Sequence, residues 1–298
     1  MARVLCVGQA VVDYVFYVDQ TPRQAVKYSA EKFEIVGGGP AANAAVAVQR
    51  LGGNAMLATR LGDDQTAQII LEDLRSEGVD CTLAKCFPGR RSSLSAVSVA
   101  ANGDRMIINY FDEETPFEPD WLNGQAGLSF DVALADTRWP DGGEKVFSIA
   151  RETGMPRVVD VDKPDQLHEG LLGQATHLAF SAEAAAGFAR TEDLRAASAK
   201  IFDRFGAWCC VTDGANGVHV FSGAGYQHTP AFSVTPVDTL GAGDIWHGAF
   251  ALAIAEGEDE TQAVRFANGA AAIKVTRPGG RLGAPTRTEL DAFLHEQA

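Results

Sequence analysis

The amino-acid sequence predicts an α/β fold, with a parallel-rich central sheet, helices on both faces of that sheet and a small β-sheet lid. Three observations predict it. Residues 3–7 are typical of a buried parallel strand at the start of the chain. From residue 132 onward, strand-like and helix-like segments alternate regularly, as they do in parallel sheets. Between these regions, alternating apolar and polar residues predict strands that lie on a surface.

The first third of the chain starts the central sheet. The strand at 3–7 ends at Gly8, and a second strand-like run follows at 11–18. Asp13 is therefore expected near the carboxyl end of the first strand, where open α/β sheets bind their ligands. The predicted elements that follow are a small-residue helix that comes after the stretch 36–43 and runs through Leu51, a strand at 57–61 and a helix at 65–77.

A second, smaller sheet is predicted from two separate segments. Residues 14–35 alternate β-branched, aromatic and polar side chains, and the runs 92–99 and 105–110 flank Asn102-Gly103, a strong hairpin signal. We interpret this sheet as a lid. The predicted domain division is 14–36 and 91–113 for the lid, and 1–13, 37–90 and 114–298 for the large α/β domain.

The remaining elements repeat a strand-then-helix order. The predicted strands lie at 132–135, 157–161, 178–180 and 207–212, and the predicted helices lie at 143–153, 166–172, 192–205, 245–255 and 263–275. Polar residues at the ends of these strands, such as Asp136, Arg138, Asp160 and Glu183, are either solvated or part of a site.

Composition excludes several classes of function. The chain has 298 residues and a net charge of −14, so its overall field repels nucleic acid and anionic membranes. The turn from Gly8 to Asp13 lacks the G-x-G-x-x-G fingerprint of a nicotinamide dehydrogenase. Five irregularly spaced cysteines predict reduced thiols, and the absence of a signal sequence or a long apolar run predicts a cytoplasmic protein.

The stretch Val237-Asp238-Thr239-Leu240-Gly241-Ala242-Gly243-Asp244 runs straight into an apolar helix. Gly241 and Gly243 leave backbone N–H groups uncovered at a helix N-terminus, which attracts anions. A carboxylate at Asp244 would repel an anion unless it acts as a general base beside a phosphoryl group. The alternative is an ordinary N-terminus that Asp238 or Thr239 caps.

Two more glycine-rich segments accompany this stretch. Residues 36–43 place three glycines before a helix whose first turn carries Asn43, which suits a polyhydroxylated ligand or merely a turn before a packing helix. Residues 211–217 place two glycines after a buried strand, which offers a second backbone surface for phosphate or ribose.

Taken together, these segments resemble the two signatures of the ribokinase/PfkB sugar kinases. The signatures are Gly37-Gly38-Gly39-Pro40-Ala41-Ala42-Asn43 with its helix, and the stretch 237–244; residues 211–217, Asn268 and Arg-Pro-Gly-Gly at 277–280 extend the match. The resemblance implies a ribokinase-like fold and ATP-dependent phosphorylation of a sugar hydroxymethyl group. It also implies ATP and Mg²⁺ as cofactors and leaves room for a monovalent cation.

The resemblance implies a role for each matching residue. Asp244 would be the base, with the amides of Gly241, Ala242 and Gly243 facing the phosphoryl group. Sugar hydroxyls would bind Asp13, Gly38, Gly39 and Asn43, and the nucleotide would lie near Thr212, Gly214, Gly217 and Asn268. Where the family shows Asn-x-x-Glu, this chain has Ser181-Ala182-Glu183-Ala184, so no metal ligand is assigned beyond the candidate Glu183.

Within this family, the segments 36–47, 107–110, 134–139 and 277–281 look most like the sulfofructose kinase branch, which acts on 6-deoxy-6-sulfofructose. Its sulfonate pocket would correspond to Lys27, Asn109 and Arg138. Alternatively, Lys27 is solvated and Arg138 pairs with Asp136 or Asp141. A sugar phosphate would suit the same cations.

Two further alternatives stay open from the sequence. The chain could be a kinase for an unmodified ketose, a sugar phosphate or a nucleoside, or a non-catalytic sugar or nucleotide sensor on the same scaffold. The apolar residues at 15–18 predict an apolar lid face, so a homodimer through the lid is expected.

Overall fold

The computed structural model describes residues 1–101, 104–123 and 128–297, so the predicted turn at Asn102-Gly103 lies outside the described residues. The strands are β1 (Arg3–Val7), β2 (Val11–Val18), β3 (Lys32–Gly38), β4 (Asn54–Gly62), β5 (Ala84–Phe87), β6 (Leu94–Ala100), β7 (Arg105–Tyr110), β8 (Val132–Asp136), β9 (Arg157–Val161), β10 (His177–Ser181), β11 (Trp208–Thr212), β12 (Val218–Ser222) and β13 (Gly225–Thr229). The α-helices are α1 (Pro40–Arg50), α2 (Gln65–Ser76), α3 (Pro140–Glu152), α4 (Glu169–Leu172), α5 (Ala182–Ala189), α6 (Leu194–Phe205), α7 (Ala242–Ala255), α8 (Glu260–Val275) and α9 (Arg287–Glu296).

The central sheet has the order β13-β12-β11-β10-β9-β8-β1-β4-β5. Strands β11, β10, β9, β8, β1, β4 and β5 pair in parallel, and β12 and β13 add antiparallel pairs at one edge. Because parallel strands end at the same edge, the residues after β1, β4, β8, β9 and β11 meet there. The predicted parallel-rich sheet is confirmed.

Strand β1 shows why helices cover both faces of this sheet. Its side chains alternate between faces, so Val4 and Cys6 enter the core under α1, α7 and α8, whereas Leu5 and Val7 enter the core under α3, α5 and α6. All four side chains are completely buried. An uninterrupted apolar run of this kind is what a strand needs when helices pack on both faces.

The second sheet has the order β3-β2-β6-β7 and a small core of Val15, Val36 and Val97. Strand β2 pairs in parallel with β6, and the other pairs are antiparallel. Asp13 lies on β2 and not at the mouth of β1, because the chain enters the lid sheet already at Val11. The division into two domains stays a prediction.

The sequence patterns did not predict β5, α5 or α9. Helix α5 begins directly after β10, because the Ser181 hydroxyl caps it by accepting the Ala184 N–H at 3.0 Å. Helix α9 begins with a capping box that joins Thr286 and Glu289. Both caps are short-range signals that the patterning of apolar residues does not reveal.

Several predicted helix boundaries also shift, and α7 and α8 each begin three residues before the predicted starts at 245 and 263. Helix α3 begins at Pro140, three residues before the prediction, because proline is favoured in the first helical turn. The helix predicted at 166–172 is a short 3₁₀ turn at 164–166 followed by α4, and α6 begins after the Asp193 cap. Within the described ranges, no helix is both long enough and apolar enough to cross a membrane.

Candidate active site

The N-terminus of α7 forms the centre of the site. Gly241 is its N-cap and adopts a left-handed conformation with φ 74°, which favours glycine. Among the residues that the structure describes, no side chain caps this helix. Asp238 instead accepts the N–H groups of Leu240 and Gly280 and pairs with the fully buried Lys274. The alternative that Asp238 or Thr239 caps the helix is therefore wrong, because Asp238 stabilises the preceding loop and leaves the helix N-terminus open.

The amides at this helix end differ in their partners. The Ala242 N–H donates to the Thr239 carbonyl at 3.2 Å. Space in front of Gly243 is open, because a Cβ placed there would meet no atom within 4 Å. An anion can therefore approach this helix end from the side of Gly243, where the helix dipole is positive.

Asp244 is fixed by a side chain from another helix. The Asn43 Nδ2 donates to Asp244 Oδ2 at 2.6 Å, although the two residues are 201 positions apart. Asn43 is almost completely buried in the first turn of α1, and its Oδ1 lies 3.5 Å from Nη1 of the buried Arg281. The catalytic candidate and the sugar-loop candidate thus belong to one hydrogen-bonded chain.

The glycines before α1 allow close packing around this pair. A Cβ at Gly38 would lie 2.5 Å from Oδ2 of Asp13, and a Cβ at Gly39 would lie 2.5 Å from the Gln9 carbonyl. Gly39 also has φ 94°, which only glycine adopts readily. The structure therefore places Asp13 against Gly38, in the loop that leads through Gly39 to Asn43, and Asn43 contacts Asp244.

Asp136 ties these segments to β8. Its carboxylate accepts the N–H groups of Gln9 at 2.7 Å, Ala41 at 3.1 Å and Arg138 at 2.8 Å. Burial raises the pKa of Asp136 to about 6, against the opposing effect of these hydrogen bonds. Asp136 positions the turn after β1 and the start of α1, and the sequence patterns gave it no specific role.

The electrostatic surroundings of Asp244 suit a base. Burial and the nearby Asp160 carboxylate raise the pKa of Asp244 to about 7, whereas the Asn43 hydrogen bond and His247 oppose the rise. His247 is buried on α7, with its Nδ1 3.2 Å from Oδ2 of Asp160. Asp160 raises the pKa of His247. A base with a pKa near neutrality accepts a proton efficiently at physiological pH.

The candidate nucleotide residues separate into two groups. Thr212 ends β11, and the loop after it contains Gly214 and Gly217 in left-handed conformations, with open space in front of Gly214. Asn268 instead is buried between helices, where it accepts from Trp246 Nε1 at 2.8 Å and donates to the Pro230 carbonyl at 3.3 Å. Both ends of its amide are thus occupied by protein groups.

The candidate metal residue Glu183 lies near the start of α5. Its side chain is 65% exposed and pairs with Lys163 Nζ at 3.2 Å. The described residues contain no cluster of three or more metal-ligating side chains. Among the described residues, Glu183 pairs with Lys163 and not with Asp244, so its assignment stays a prediction.

The three candidate sulfonate residues occupy different surroundings. Arg138 lines a cavity of about 410 Å³, and its Nη2 pairs with Asp162 Oδ2 at 3.0 Å rather than with Asp136 or Asp141. Lys27 is exposed in the connection between β2 and β3, and Asn109 is exposed on β7, where its Oδ1 accepts from Ser95. Only Arg138 among the three lines this cavity.

Comparison with known proteins decides the family. The model of the pfkB family of carbohydrate kinases matches residues 1–287. The chain belongs to this family. It is 30% identical over 301 residues to a ribokinase from Bacillus subtilis (strain 168), covering 99% of this chain and 100% of that protein. It is 27% identical to an ATP-dependent ribose-1-phosphate kinase from Halopiger xanaduensis, covering 100% and 99% of the two chains.

Solved structures agree with this pfkB membership. The crystal structure of a putative ribokinase from Agrobacterium tumefaciens superposes with a TM-score of 0.91 at 36% identity, covering 99% of this chain and 98% of that chain. A ribokinase from Thermotoga maritima superposes with a TM-score of 0.85 at 26% identity, covering 99% of each chain. The ribokinase-like fold is thus confirmed, and this pfkB protein is an ATP-dependent carbohydrate kinase.

Sequence reasoning missed several residues of the pfkB site. His247 lies three positions after Asp244, so helical spacing alone places it near the base. The sequence patterns also indicated no role for Arg281, although its guanidinium pairs with Asp73 and packs against Gly37. A buried cation that pairs with a carboxylate far away in the sequence can be recognised only in the folded structure.

Proposed function

We propose that this pfkB kinase phosphorylates 6-deoxy-6-sulfofructose at its C1 hydroxyl. One observation carries the proposal: Asp244, held by Asn43 at an open helix N-terminus, belongs to a site that adjoins a cavity containing Arg138. The first feature supports proton removal from a hydroxymethyl group. The second supports an anionic group at the other end of the sugar.

Asp244 is the general base in this proposal. Its carboxylate removes the proton from the C1 hydroxyl as that oxygen attacks the γ-phosphoryl group, which ATP supplies. The amides of Gly241 and Gly243 face the charge that develops on the transferred group, with the dipole of α7 behind them. Asn43 orients Asp244 by holding one of its oxygens.

The remaining sugar hydroxyls would bind the residues around the glycine loop. Asp13 is positioned by β2 and packs against Gly38, so its carboxylate can accept from a sugar hydroxyl. Burial raises the pKa of Asp13, and Ser95 and Arg281 oppose that rise. A ligand hydrogen bond would replace the water that Asp13 loses on burial.

Mg²⁺ fits this site as a cation carried by the nucleotide. It typically keeps several waters and takes one or two carboxylates together with substrate phosphates. A site of that kind does not require a dedicated cluster of protein ligands, and Thr212, Gly214 and Gly217 supply a backbone surface for the nucleotide. Glu183 stays a candidate for an indirect role.

The anionic end of the sugar would bind Arg138. Its guanidinium is three-quarters buried and lines the cavity, and Asp162 fixes its orientation at 3.0 Å. Lys27 and Asn109 stay predicted partners of the sulfonate, on the lid side. A sulfonate keeps its negative charge throughout the physiological pH range, so a fixed arginine is a suitable partner.

A second candidate is a kinase for a sugar phosphate. The relative from Halopiger xanaduensis acts on ribose 1-phosphate, and Arg138 would bind a phosphate as readily as a sulfonate. Measurement of ADP release with sulfofructose, fructose 6-phosphate, fructose and ribose distinguishes the candidates. We expect the highest kcat/KM with sulfofructose; a higher value with fructose 6-phosphate or ribose would contradict that choice.

Replacement of Arg138 tests the anionic end separately. Charge-assisted hydrogen bonds contribute about 1.5–3 kcal/mol each, so Arg138→Gln should lower kcat/KM for sulfofructose by roughly tenfold to a hundredfold. The value for unsubstituted fructose should change little. Equal losses with both sugars would show that Arg138 does not contact the anionic group.

We also infer that the protein forms a homodimer through its lid. The lid sheet exposes several large apolar side chains, which would favour burial against a second copy. They are Phe33, Ile35, Ile107, Ile108 and Tyr110. Because exposing these apolar side chains to water is unfavourable, we expect them to pack against the lid of a second copy.

A further inference from the structure

The cavity that contains Arg138 lies between the lid and the carboxyl ends of β1, β4 and β8. It is lined from the central sheet by Gln9, Thr59 and Arg60, and from the lid side by Arg91 and Phe111, among other residues. The Gln9 carbonyl packs against Gly39 of the sugar loop. The cavity therefore adjoins the proposed sugar site through Gln9 and Gly39, and Asp244 is not among the described residues that line it.

Arg60 enters this cavity as a cation without a carboxylate partner among the described residues. Its Nη1 donates to the carbonyls of Thr115 at 3.2 Å and Pro116 at 3.1 Å. Its guanidinium lies 4.0 Å from the ring centroid of Phe117 and 5.5 Å from that of Trp139. Neutral carbonyls and aromatic rings thus hold the group in one orientation without neutralising its charge.

Burial makes this arrangement costly without a ligand. Loss of solvent lowers the pKa of Arg60, and the more distant Asp136 and Asp141 only partly oppose that effect. Arg138 lines the same cavity, but its charge is already shared with Asp162. Arg60 is therefore the cation whose charge is left for a bound anion.

Two further polar groups in the cavity lack partners within the described part of the chain. Thr59 is almost completely buried, and its hydroxyl has no hydrogen-bond partner. The Nε of Arg138 is also buried and has none. A buried polar group without a partner is unfavourable, by about 1–3 kcal/mol. Thr59 and Arg138 line the cavity together with Arg60, so an anionic ligand bound there would lie close to both groups.

The two carboxylates that line the cavity, Asp112 and Glu113, do not cancel its preference for an anionic ligand. Asp112 lies on the lid side, where its oxygens accept the N–H groups of Arg91 at 2.8 Å and Glu114 at 3.0 Å. Glu113 is exposed. Both acidic side chains belong to the rim formed by the lid, whereas Thr59 and Arg60 belong to the floor formed by β4.

We propose that Arg60, Thr59 and Arg138 form the subsite for the anionic end of the sugar, with Arg60 as the principal specificity-determining residue. The proposal rests on the proposed function, since it concerns the end of the same substrate that faces away from Asp244. The ligand is a sugar carrying a sulfonate or a phosphate. Both groups offer several oxygens to a guanidinium and a hydroxyl.

The test compares Arg60→Gln with the wild-type enzyme on three sugars. Sulfofructose, fructose 6-phosphate and fructose are each titrated against saturating ATP, with ADP release as the signal. We expect Arg60→Gln to raise KM for the preferred anionic sugar by roughly tenfold to a hundredfold. The KM for fructose and the KM for ATP should stay within about twofold of wild type, since neither ligand needs this charge. Whichever anionic sugar shows the effect identifies the source of the anion.

Arg151→Gln is the matched control. Arg151 is exposed at the end of α3, about 16 Å along the helix from Pro140, which lines the cavity. The Arg151→Gln substitution also removes one positive charge but lies outside the subsite, so the KM values for all three sugars and for ATP should match those of the wild-type enzyme. Equal effects of Arg60→Gln on fructose and on the anionic sugars, or no effect on any of them, would overturn the subsite.

Thr59→Val keeps the test valid if Arg60→Gln folds poorly. The variant removes the unpartnered hydroxyl and keeps the shape, so Tm should stay the same or rise while KM for the anionic sugar increases several-fold. Unchanged KM values would overturn the role of Thr59. If the wild-type enzyme phosphorylates fructose but shows no preference for an anionic sugar, the substrate proposal fails. If that preference survives both substitutions, only the subsite fails.

Discussion

At the scale of single residues, the site combines groups that are costly to bury with partners from distant parts of the chain. The anion-binding role of Gly241 and Gly243 and the base role of Asp244 could be predicted, because these residues are neighbours in the sequence. Asp136, Arg281 and Arg60 could not, because their roles depend on contacts across more than 50 positions. Local patterns indicate what a loop can bind, whereas burial of a lone charge appears only in the folded chain.

The raised pKa of Asp244 predicts a pH dependence of turnover. A base must be ionised, so kcat should rise with pH through about 7 and fall below it. The pH profile of kcat with saturating sugar and ATP tests this. An acidic limb near pH 4 would mean that Asp244 titrates as an ordinary carboxyl group.

The same shift predicts an effect on stability. The folded protein holds the Asp244 proton up to a higher pH than the unfolded chain, whose pKa is close to the reference value of 3.8. The contribution of Asp244 to the free energy of unfolding is thus greatest below pH 4 and is lost as pH rises through about 7. Asp244→Asn should therefore raise Tm relative to wild type more at pH 8 than at pH 4. The same Tm difference at both pH values would contradict the shift.

At the scale of elements, the contact between α1 and α7 sets the distance between Asn43 and Asp244. Gly248 lets the helices approach, because a Cβ there would lie 2.4 Å from the Ala44 carbonyl. The sequence predicted both helices and the lid strands β2, β6 and β7. It did not predict how closely the helices cross, since a glycine within a helix has no single structural meaning.

Gly248→Ala tests this crossing. The added methyl group meets backbone, so the helices must separate, at a cost of about 1–3 kcal/mol in unfolding free energy. We expect a lower Tm and a lower kcat, because Asn43 and Asp244 move apart. Gly223→Ala is the control, since its Cβ would meet nothing within 4 Å. A wild-type kcat in Gly248→Ala would show that the crossing does not set the geometry of the base.

At the scale of the whole molecule, the lid sheet should join two copies. Its composition predicted an apolar face, and the structure shows which side chains remain exposed, among them Ile108 at 60%. The predicted order of strands and helices also holds for most of the central sheet. The missed elements β5, α5 and α9 are short or depend on capping, so the periodicity of apolar residues could not reveal them.

Ile108→Glu tests the dimer. A charge on each copy would be buried in the interface, which is strongly unfavourable. The wild-type protein should show a dimer mass in light scattering at micromolar concentration, and the variant should show a monomer mass with an unchanged Tm at low concentration. A monomeric wild-type protein would contradict the lid interface.

One measurement decides whether Asp244 acts as the base: the turnover of Asp244→Asn with sulfofructose and ATP. General-base catalysis typically contributes about a hundredfold to ten-thousandfold, so kcat should fall by that factor. The KM for both substrates should change much less, because Asn43 can still donate to an amide oxygen at this position. Turnover at the wild-type rate would contradict the role of Asp244 and the mechanism built on it.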